Sequence, residues 1–415
     1  MTQESECVRS MSFQTVGKPL PDRSARVREL GELGFSWADI GEEQYWIDQL
    51  VVMGEAVYNK LYAASATLWR IFDKAARFVI GRRDLYKMLA IPEVLWDGLD
   101  LVPPQPALEL SRYARFDFSV AMDGTIKLLE LNADTPTGYV EASIATPWLC
   151  SQYGIETPNT SMASQVARAW AKEDPEAAAC VAYGSHDEDS GTIEALVRHS
   201  GRRMRCIDCL DLWVDEGILK GSDHQPIRRL FALYPKEWMG VDDGGEALAY
   251  AVETGELQLF NSLHAVILQS KGLQAVIWGL HELNADLFTE KEHMYIKRYM
   301  LPTYNRPLFT GNYVSKSMFG REGGSVRMFD AEGNMDLQDE EGYDTSTLFG
   351  DIYQERAELP RIRLHKGEFH LLTGMFVIDG KPCGLLGRAG GLITGNTSHF
   401  VAMGVGSFEQ QRNKS

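Results

Sequence analysis

The sequence predicts an α+β fold, because helix-like and strand-like patterns occupy different stretches of the chain. In residues 27–102, apolar side chains recur three and four positions apart, which predicts a helical N-terminal region. Residues 309–400 are rich in strand patterns and turn signals. Between these stretches, a buried-strand pattern, a helix and a second strand follow one another in residues 178–214. This order predicts a small βαβ subdomain with parallel strands, placed within residues 178–230.

Composition narrows the class of protein. The chain has 415 residues, of which 44% are hydrophobic and 24% charged, as in ordinary globular proteins. No apolar run reaches the roughly 20 residues that a membrane-spanning helix needs, so no membrane partner is expected. The first ten residues lack the apolar core of a secretory signal, which predicts a cytoplasmic location. The net charge of −17 argues against a nucleic-acid partner, whose binding would need a basic surface.

The six cysteines are scattered along the chain, which is typical of a reducing compartment. Cys206 and Cys209 form a CxxC pair at the end of a predicted strand. A zinc site would need a second pair of ligands at suitable spacing, and none is nearby in the sequence. A structural role is therefore expected for this pair, with a redox role left open.

A predicted hairpin carries the first group of chemically informative residues. Two alternating strands, 113–121 and 125–132, flank a turn at Asp123-Gly124. Side chains two apart share a strand face, so each strand presents two polar groups together. These groups are Arg115 and Asp117 on the first strand and Glu130 and Asn132 on the second. Their oxygens suit Mg²⁺, and the guanidinium suits a phosphoryl group. The alternative is a solvated face with cross-strand salt bridges.

Turn formers and hydroxyls follow the second strand. The segment Asn132-Ala133-Asp134-Thr135-Pro136-Thr137-Gly138 ends a strand, where ligands are commonly bound. Thr135 and Thr137 are suited to hydrogen bonding a carboxylate or a phosphate. Taken alone, the sequence favours the alternative that either threonine caps the helix that begins near Tyr139.

A lysine-bearing strand runs into a glycine-rich turn at KSMFGREGGSV, residues 316–326. Glycines let backbone N–H groups approach phosphates closely, and Lys316 and Arg321 are placed to pair with phosphate oxygens. The segment is not a GxxxxGK[ST] loop, and a bare glycine hairpin is the alternative.

Two further candidates lie nearer the C-terminus. Arg388 stands at the end of a strand in CGLLGRAGG, where a surface arginine beside a turn is the alternative. Gln354 and Glu355 lie in a strand whose edge is suited to pairing with an adenine through the backbone.

Together these segments resemble the synthetase half of glutathionylspermidine synthase, and most of all its homologues that lack the amidase half. The matching segments are RFDFSVAMDGTIKLLELNADTPTG, LYPKEWM, SKGLQAVIWGLHE, YMLPTYN, YVSKSMFGREGGSV, IYQE and GLLGRAGG. They occur in the order of the family and span roughly residues 26–403. The resemblance implies an ATP-grasp fold with a pre-ATP-grasp-like βαβ subdomain. It implies one synthetase domain over 26–405, between tails at 1–25 and 406–415.

The resemblance also implies roles for individual residues. Asp117, Glu130 and Asn132 match the magnesium ligands, and Arg115 matches the arginine beside the transferred phosphate. Thr135 and Thr137 match substrate-binding serines, and Arg388 matches an arginine near the substrate carboxylate. The ATP contacts it implies are Lys271, Lys316, Gly320, Arg321, Glu322, Gly323, Gly324, Gln354 and Glu355.

The implied reaction is ATP-dependent ligation of a carboxylate to an amine through an acyl phosphate, with Mg²⁺. The acid implied is glutathione or another peptide, and the amine is a polyamine. Glu237, in YPKEW, is a candidate for accepting the amine proton, although a helix-surface glutamate is the alternative. Members with both halves carry an acidic motif shortly after the late arginine, whereas this chain has AGGLITGNTSHF, without an acid. A different carboxylate–amine ligase and a nucleotide-binding protein without ligase activity remain open.

Overall fold

The computed structural model describes residues 12–105, 107–172, 178–182, 184–339 and 345–407. Everything said below concerns these residues, and the side chains of 178–180 and 182 are left aside.

The chain alternates short helices with strands that build three main sheets. The strands are β1 Phe13–Val16, β2 Asp39–Ile40, β3 Glu43–Gln44, β4 Trp46–Gly54, β5 Tyr113–Val120, β6 Ile126–Asn132, β7 Ala178–Ala182, β8 Arg205–Asp208, β9 Trp213–Asp215, β10 Ile218–Lys220, β11 Arg229–Ala232, β12 Gln258–Leu259, β13 Thr303–Tyr304, β14 Tyr313–Ser317, β15 Arg327–Phe329, β16 Met335–Gln338, β17 Asp351–Glu355, β18 Arg361–Leu364, β19 Gly367–Ile378, β20 Lys381–Gly390 and β21 His399–Gly406. The α-helices are α1 Arg23–Leu33, α2 Glu55–Val79, α3 Arg83–Met88, α4 Trp96–Leu101, α5 Thr146–Tyr153, α6 Met162–Trp170, α7 Asp187–Ser200, α8 Gly245–Glu253, α9 Ala265–Gln269, α10 Gly272–Glu282, α11 Glu290–Tyr299 and α12 Ser346–Phe349.

The largest sheet has the strand order β1-β4-β21-β20-β19-β5-β6, with β18 paired to part of β19. Its neighbours are antiparallel except for β4 and β21, which run parallel. Side chains alternate between its two faces, so Phe116 packs into the core that includes α2, whereas Tyr113 packs into a second core with α5 and α6. Arg115 and Asp117 follow Tyr113 in this alternation and therefore lie on the second face.

A four-stranded parallel sheet of order β12-β11-β7-β8 forms the subdomain that the strand–helix–strand pattern predicts. β7 and β8 run parallel, and α7 connects them. α7 begins with three acidic residues and ends at Gly201, whose φ of 68° continues the chain in the left-handed region. The predicted βαβ unit is therefore confirmed.

The third sheet has the order β13-β17-β14-β15-β16 and is antiparallel throughout. It contacts the large sheet where Lys316 of β14 donates a hydrogen bond to the Leu129 carbonyl of β6, an edge strand of the large sheet. The space between these two sheets holds the candidate site.

The predicted helical N-terminal region is only partly correct. α1 and α2 are helices, but Trp46–Gly54 forms β4, which lies between β1 and β21. Eight of its nine residues are buried, because both faces of this interior strand are covered. The apolar residues at positions 46, 47, 50 and 51 of this buried strand match helical spacing, and this produced the error. β1 lies within the stretch 1–25 assigned as a tail, and it pairs with β4.

No helix in the described ranges is both long enough and apolar enough to cross a membrane.

Candidate active site

The β5–β6 hairpin brings together the four polar residues expected to share a face. Arg115 pairs in register with Asn132, and Asp117 pairs with Glu130. Directly paired residues of antiparallel strands project to the same side, so all four side chains converge. We call Arg115, Asp117, Glu130 and Asn132 the hairpin cluster.

A β-bulge in the hairpin lies beside this cluster and leaves one residue of β6 without a partner on β5. The register passes from Asp117–Glu130 to Phe118–Leu128, so Leu129 has no partner on β5. The Leu129 carbonyl instead accepts hydrogen bonds from Lys316 Nζ at 3.1 Å and Gln274 Nε2 at 3.4 Å. The bulge thus helps to join the large sheet to the elements that face it.

Within the hairpin cluster, the arginine holds one carboxylate with both arms of its fork. Arg115 Nε and Nη2 donate to Asp117 Oδ1 and Oδ2 at 2.7 and 2.9 Å. Arg115 Nη1 donates to the Thr137 carbonyl at 2.6 Å. Both side chains are buried, at 7% and 2% exposure, so this bidentate pair fixes the guanidinium beside the loop that follows β6.

Two lysines approach the hairpin cluster from the opposite side of the cleft. Lys271, at the start of α10, lies with Nζ 3.3 Å from Glu130 Oε2 and donates to the Gly320 carbonyl at 2.6 Å. Lys316, on β14, donates to Gln354 Oε1 at 2.9 Å. Both lysines are buried, which is unusual for this residue type and places two positive charges in a confined space.

Burial and charge shift the pKa values of these groups in opposite directions. Burial favours a higher pKa for Glu130, but Lys271, Lys316, the Asn132 amide and Arg115 outweigh it and lower the pKa to about 2. Burial lowers the pKa of Lys316 to about 8, against the attraction of Glu130. The carboxylate is therefore firmly charged, and Lys316 remains mostly protonated at neutral pH but loses its proton more readily than an exposed lysine.

The carboxylate and amide oxygens of the hairpin cluster are of the type that binds a magnesium ion. Asn132 Nδ2 lies 3.1 Å from Asp117 Oδ2 and 3.3 Å from Glu130 Oε1. Turning the amide over brings its oxygen to the same positions, an orientation that a cation favours. Neighbouring ligands of an octahedral Mg²⁺ are about 3 Å apart, given metal–oxygen distances of about 2.1 Å. Within the described ranges, no group of three or more His, Cys, Asp or Glu residues is placed to hold a metal ion, so a magnesium site at the hairpin cluster would depend on the Asn132 amide as well as the two carboxylates.

The glycine-rich turn, Gly320–Gly324, lies over the cleft. Glu322 and Gly323 have φ values of 53° and 75°, in the left-handed region that favours glycine. A Cβ at Gly323 would come within 3.0 Å of Ile393 Cγ2 and the Thr394 carbonyl oxygen. The turn therefore packs closely against the segment that follows β20, and a side chain at Gly323 would force the two apart.

Arg321 anchors this turn to the loops below it. Its Nη2 lies 2.7 Å from Glu237 Oε1, and its Nη1 donates to Thr135 Oγ1 at 2.5 Å. Glu237 is 1% exposed, so it is not the helix-surface glutamate considered as the alternative. The same backbone segment holds the loop after β6, because Lys236 N and Nζ both donate to the buried Asp134 carboxylate.

Gln354 and Glu355 occupy the end of β17, which is not an edge strand. β17 pairs with β13 on one side and β14 on the other, and Glu355 N donates to the Pro302 carbonyl at 2.9 Å. These two residues therefore do not form a free strand edge, but both line the cleft, and their contact with ATP stays a prediction. Gln354 instead orients Lys316, while its Nε2 donates to Gln274 and Thr303 at 3.2 Å.

Both polar and apolar groups line the cleft between the two sheets. The polar groups include the two lysines, Glu130 and the glycine-rich turn. The apolar side chains are suited to the faces of a flat ring, namely Val314, Val326, Met328 and Leu372. A separate cavity of about 440 Å³ lies against the parallel sheet and contains none of the predicted site residues.

Arg388 and Thr137 lie beside two acidic residues that sequence reasoning missed. Arg388 Nη2 donates to the Gly395 carbonyl at 2.8 Å, and its charge acts on Glu188 in the first turn of α7. Burial raises the pKa of Glu188 to about 7, and the Thr137 side chain acts in the other direction. Glu141, four residues after Thr137, is fully buried. The signal at Glu188 was only a run of acids at a helix start, which usually complements the helix dipole.

Comparison with known proteins agrees with this arrangement of segments. The family model described as "Glutathionylspermidine synthase preATP-grasp" matches residues 18–406. The chain belongs to the glutathionylspermidine synthase family. A Haemophilus influenzae protein named "Putative acid--amine ligase" is 26% identical over 309 residues, covering 70% of this chain and 73% of that protein.

Proposed function

We propose that this protein is an ATP-dependent carboxylate–amine ligase of the ATP-grasp type that forms an amide through an acyl phosphate. The observation that carries the proposal is the cleft itself. Two buried lysines from α10 and β14 meet a carboxylate-rich hairpin beneath a glycine-rich turn. Such a set provides cations for phosphate oxygens, oxygen ligands for Mg²⁺ and a movable cover. Membership of the family and the name of the H. influenzae relative support the choice of reaction.

ATP would lie in the cleft with its ring against the apolar side chains and its phosphates towards the two lysines. Lys271 and Lys316 would contact phosphate oxygens, and the backbone N–H groups of Gly320–Gly324 would cover them. Asp117, Glu130 and Asn132 would hold Mg²⁺, which supplies neutralisation of phosphate charge. Arg115, fixed by Asp117, is placed to stabilise the charge on the phosphoryl group as it moves to the substrate carboxylate.

The two other substrates would meet at the far side of Arg115. Thr135, Thr137 and Arg388 border this space and offer two hydroxyls and a guanidinium, which suit the carboxylate substrate. A small peptide such as glutathione and a polyamine are the pair that the family suggests. In the first step the carboxylate would attack the γ-phosphate in line, and in the second the amine would displace phosphate.

The decisive experiment is a screen for ADP release over acids and amines, with mass spectrometry of the products. We expect ADP only when Mg²⁺, an acid and an amine are all present, and a product heavier by condensation of the two. At limiting ATP, Lys316→Ala should lower the signal, whereas Lys366→Ala, at an exposed position between β18 and β19, should leave it unchanged. ATP binding without ADP release for any pair would instead favour a nucleotide-binding protein without ligase activity.

A further inference from the structure

The cavity of about 440 Å³ against the parallel sheet has no role in the proposed function and shares no lining residue with the cleft. One face of the sheet borders it, through Val181 of β7 and through Leu230 and Ala232 of β11. The β9–β10 hairpin and the start of α8 border it on the other sides. Its volume lies within the roughly 300–1,000 Å³ that is typical of small-molecule sites. We call it the sheet cavity.

The parallel sheet carries large and small side chains on different faces, which explains why space remains on this side. Phe231 of β11 packs on the opposite face against Phe260, whereas the next residue, Ala232, lines the sheet cavity. The first turn of α8 rests on the backbone of Met239, because a Cβ at Gly245 would lie 2.3 Å from the Met239 carbonyl oxygen. This close contact fixes α8 at its distance from the sheet, so the space is part of the fold.

The lining of the sheet cavity is mainly apolar, and part of it is exposed to solvent. Leu210 is 77% exposed and Trp213, on β9, is 39% exposed. Both side chains line the cavity, so its opening is hydrophobic. Exposed apolar surface around a concave site of this size favours a ligand with an apolar body.

The opening also carries two carboxylates without a basic partner. Asp242 and Asp243 directly precede α8, are exposed and line the sheet cavity. Among the residues that the structure describes, no Lys, Arg or His forms an ion pair with either carboxylate. Asp242 Oδ2 accepts a hydrogen bond from the Tyr234 hydroxyl at 2.9 Å, which fixes its position but leaves its charge in place.

The two lysines beside the sheet cavity do not neutralise this charge. Lys220 lies over the ring of Trp213, with Nζ 5.1 Å from the ring centroid, but it is paired with Asp215 at 2.7 Å. Lys236 lines the cavity and is paired with the buried Asp134. The sheet cavity therefore combines an apolar interior with a negative opening, and charge complementarity favours a cation.

We propose that the sheet cavity binds a small organic cation, an ammonium ion with an apolar aromatic or alkyl body. The body would lie between the sheet and α8, and the ammonium group would face Asp242 and Asp243. Trp213 and Tyr234 line the same cavity, and the faces of aromatic rings attract ammonium groups. None of these residues is assigned to ATP, Mg²⁺ or either substrate, so the site stands apart from the proposed function.

Buried side chains of the sheet cavity also hold the loop that follows β6. Lys236 and Asn261 both line the cavity and are both buried. Lys236 N donates to Asp134 Oδ2 at 3.0 Å, and Asn261 Nδ2 donates to the Asp134 carbonyl at 2.8 Å. A bound cation restrains these two side chains and, through Asp134, the loop that continues to Thr135.

Three compounds with the same indolylethyl body separate charge from apolarity. They are tryptamine, which is an ammonium ion at neutral pH, uncharged tryptophol and the anion indolepropionate. Calorimetric titration of the full chain should give the highest affinity for tryptamine and the lowest for indolepropionate, with a difference of about 10-fold or more. Equal affinity for all three, or no binding of tryptamine at millimolar concentration, would overturn the proposal.

Removing the carboxylates tests the charge. The double change of Asp242→Asn and Asp243→Asn should weaken tryptamine binding by about 2–5-fold for each charge removed and leave tryptophol binding unchanged. Asp286→Asn, at an exposed position between α10 and α11, is the matched control and should bind both compounds as the wild type does. Unchanged tryptamine affinity in the double variant would contradict recognition of a cation at this opening.

Filling the cavity tests the location. Ala247→Phe on α8 and Ala232→Leu on β11 both place extra side-chain volume in the sheet cavity, and each folded variant should lose binding of tryptamine and tryptophol. Cys209 lines the cavity whereas the exposed Cys206 does not, so tryptamine should slow iodoacetamide labelling of Cys209 alone. Normal binding by a folded, filled variant, together with unchanged labelling of Cys209, would place the ligand elsewhere and overturn the proposal.

Hydrogen exchange tests the connection to the loop after β6. Saturation with tryptamine should slow amide exchange across residues 133–138 in the wild type and have no effect in the filled variants. Unchanged exchange in the tryptamine-bound wild type would show that the ligand does not restrain this loop.

Discussion

The hairpin cluster and the first turn of α7 contain the same type of acidic group in opposite electrostatic settings. Glu130 lies among two lysines and an arginine, and its pKa falls to about 2. Burial and the charge of Glu141 instead raise the pKa of Glu188, in α7, to about 7. Thr137 relates the two settings, because its carbonyl accepts from Arg115 and its side chain acts against the rise of the Glu188 pKa.

This difference shows that the charges around a carboxyl group determine its pKa and therefore the role that it is suited to. A carboxylate surrounded by cations stays charged at any working pH, which suits a metal ligand. A carboxyl beside another carboxyl titrates near neutrality, which suits a proton carrier. The following changes test whether the two settings are as different as their contacts imply.

The largest effect is expected from the charge of Glu130. Glu130→Gln keeps the size of the side chain but removes a negative charge from the proposed metal site. Turnover in the ADP-release assay should fall about 10²–10³-fold, as expected for loss of a main electrostatic contact. Added Mg²⁺ should restore part of the activity, whereas the thermal midpoint should change little.

The control for this change is Glu368→Gln, at an exposed position on β19, which should leave turnover unaffected. Near-normal turnover in Glu130→Gln would show that the hairpin cluster is a cross-strand salt-bridge network, worth under about 1 kcal/mol.

A smaller effect is expected from the lysines that set the pKa of Glu130. Lys271→Ala and Lys316→Ala each remove one charge-assisted contact to ATP, worth roughly 1.5–3 kcal/mol, or about 10–150-fold in affinity. Equilibrium titration with a fluorescent ATP analogue measures the change. If both variants bind the analogue as the wild type does, neither lysine contacts the nucleotide.

Proton uptake should accompany nucleotide binding because the pKa of Lys316 is lowered to about 8 before ATP arrives. A phosphate beside the lysine raises this pKa again, so binding at pH 8 should take up roughly half a proton. Affinity should then weaken as the pH rises above 8. Calorimetry in two buffers of different ionisation enthalpy measures the uptake, and Lys316→Arg should eliminate it. Equal heats in the two buffers would contradict the lowered pKa.

The smallest effect concerns the glycine-rich turn, which carries no carboxyl of either setting. Arg321 attaches the turn to Glu237 and Thr135, so Arg321→Ala should increase amide hydrogen exchange across residues 320–324. Mg²⁺–ATP should slow the same exchange in the wild type, as a closing cover would. Arg306→Ala, at an exposed position, serves as the control. Identical exchange with and without nucleotide would rule out a role as a cover.

The sequence predicts a group of residues well when they are close together in the chain, and poorly when they are distant. Arg115, Asp117, Glu130 and Asn132 are joined by one tight hairpin, so strand alternation alone predicts their shared face, as the register confirms. The surroundings of Glu141 depend instead on Trp37, which donates to it and packs against Gly191 of α7, an arrangement that no short-range pattern encodes. The same limit explains β4, whose strand state depends on neighbours contributed from residues 13–16 and 399–406.

The position of β21 also has a consequence for how the protein is made. This strand lies between β4 and β20, so it pairs with a strand about 350 positions earlier in the chain. During synthesis on a ribosome, β4 and β20 each have one unpaired edge until residues 399–406 have emerged. Unpaired strand edges promote association between chains, and contacts so distant in sequence form slowly. A nascent chain stalled before this strand is therefore the form of the protein most in need of a chaperone.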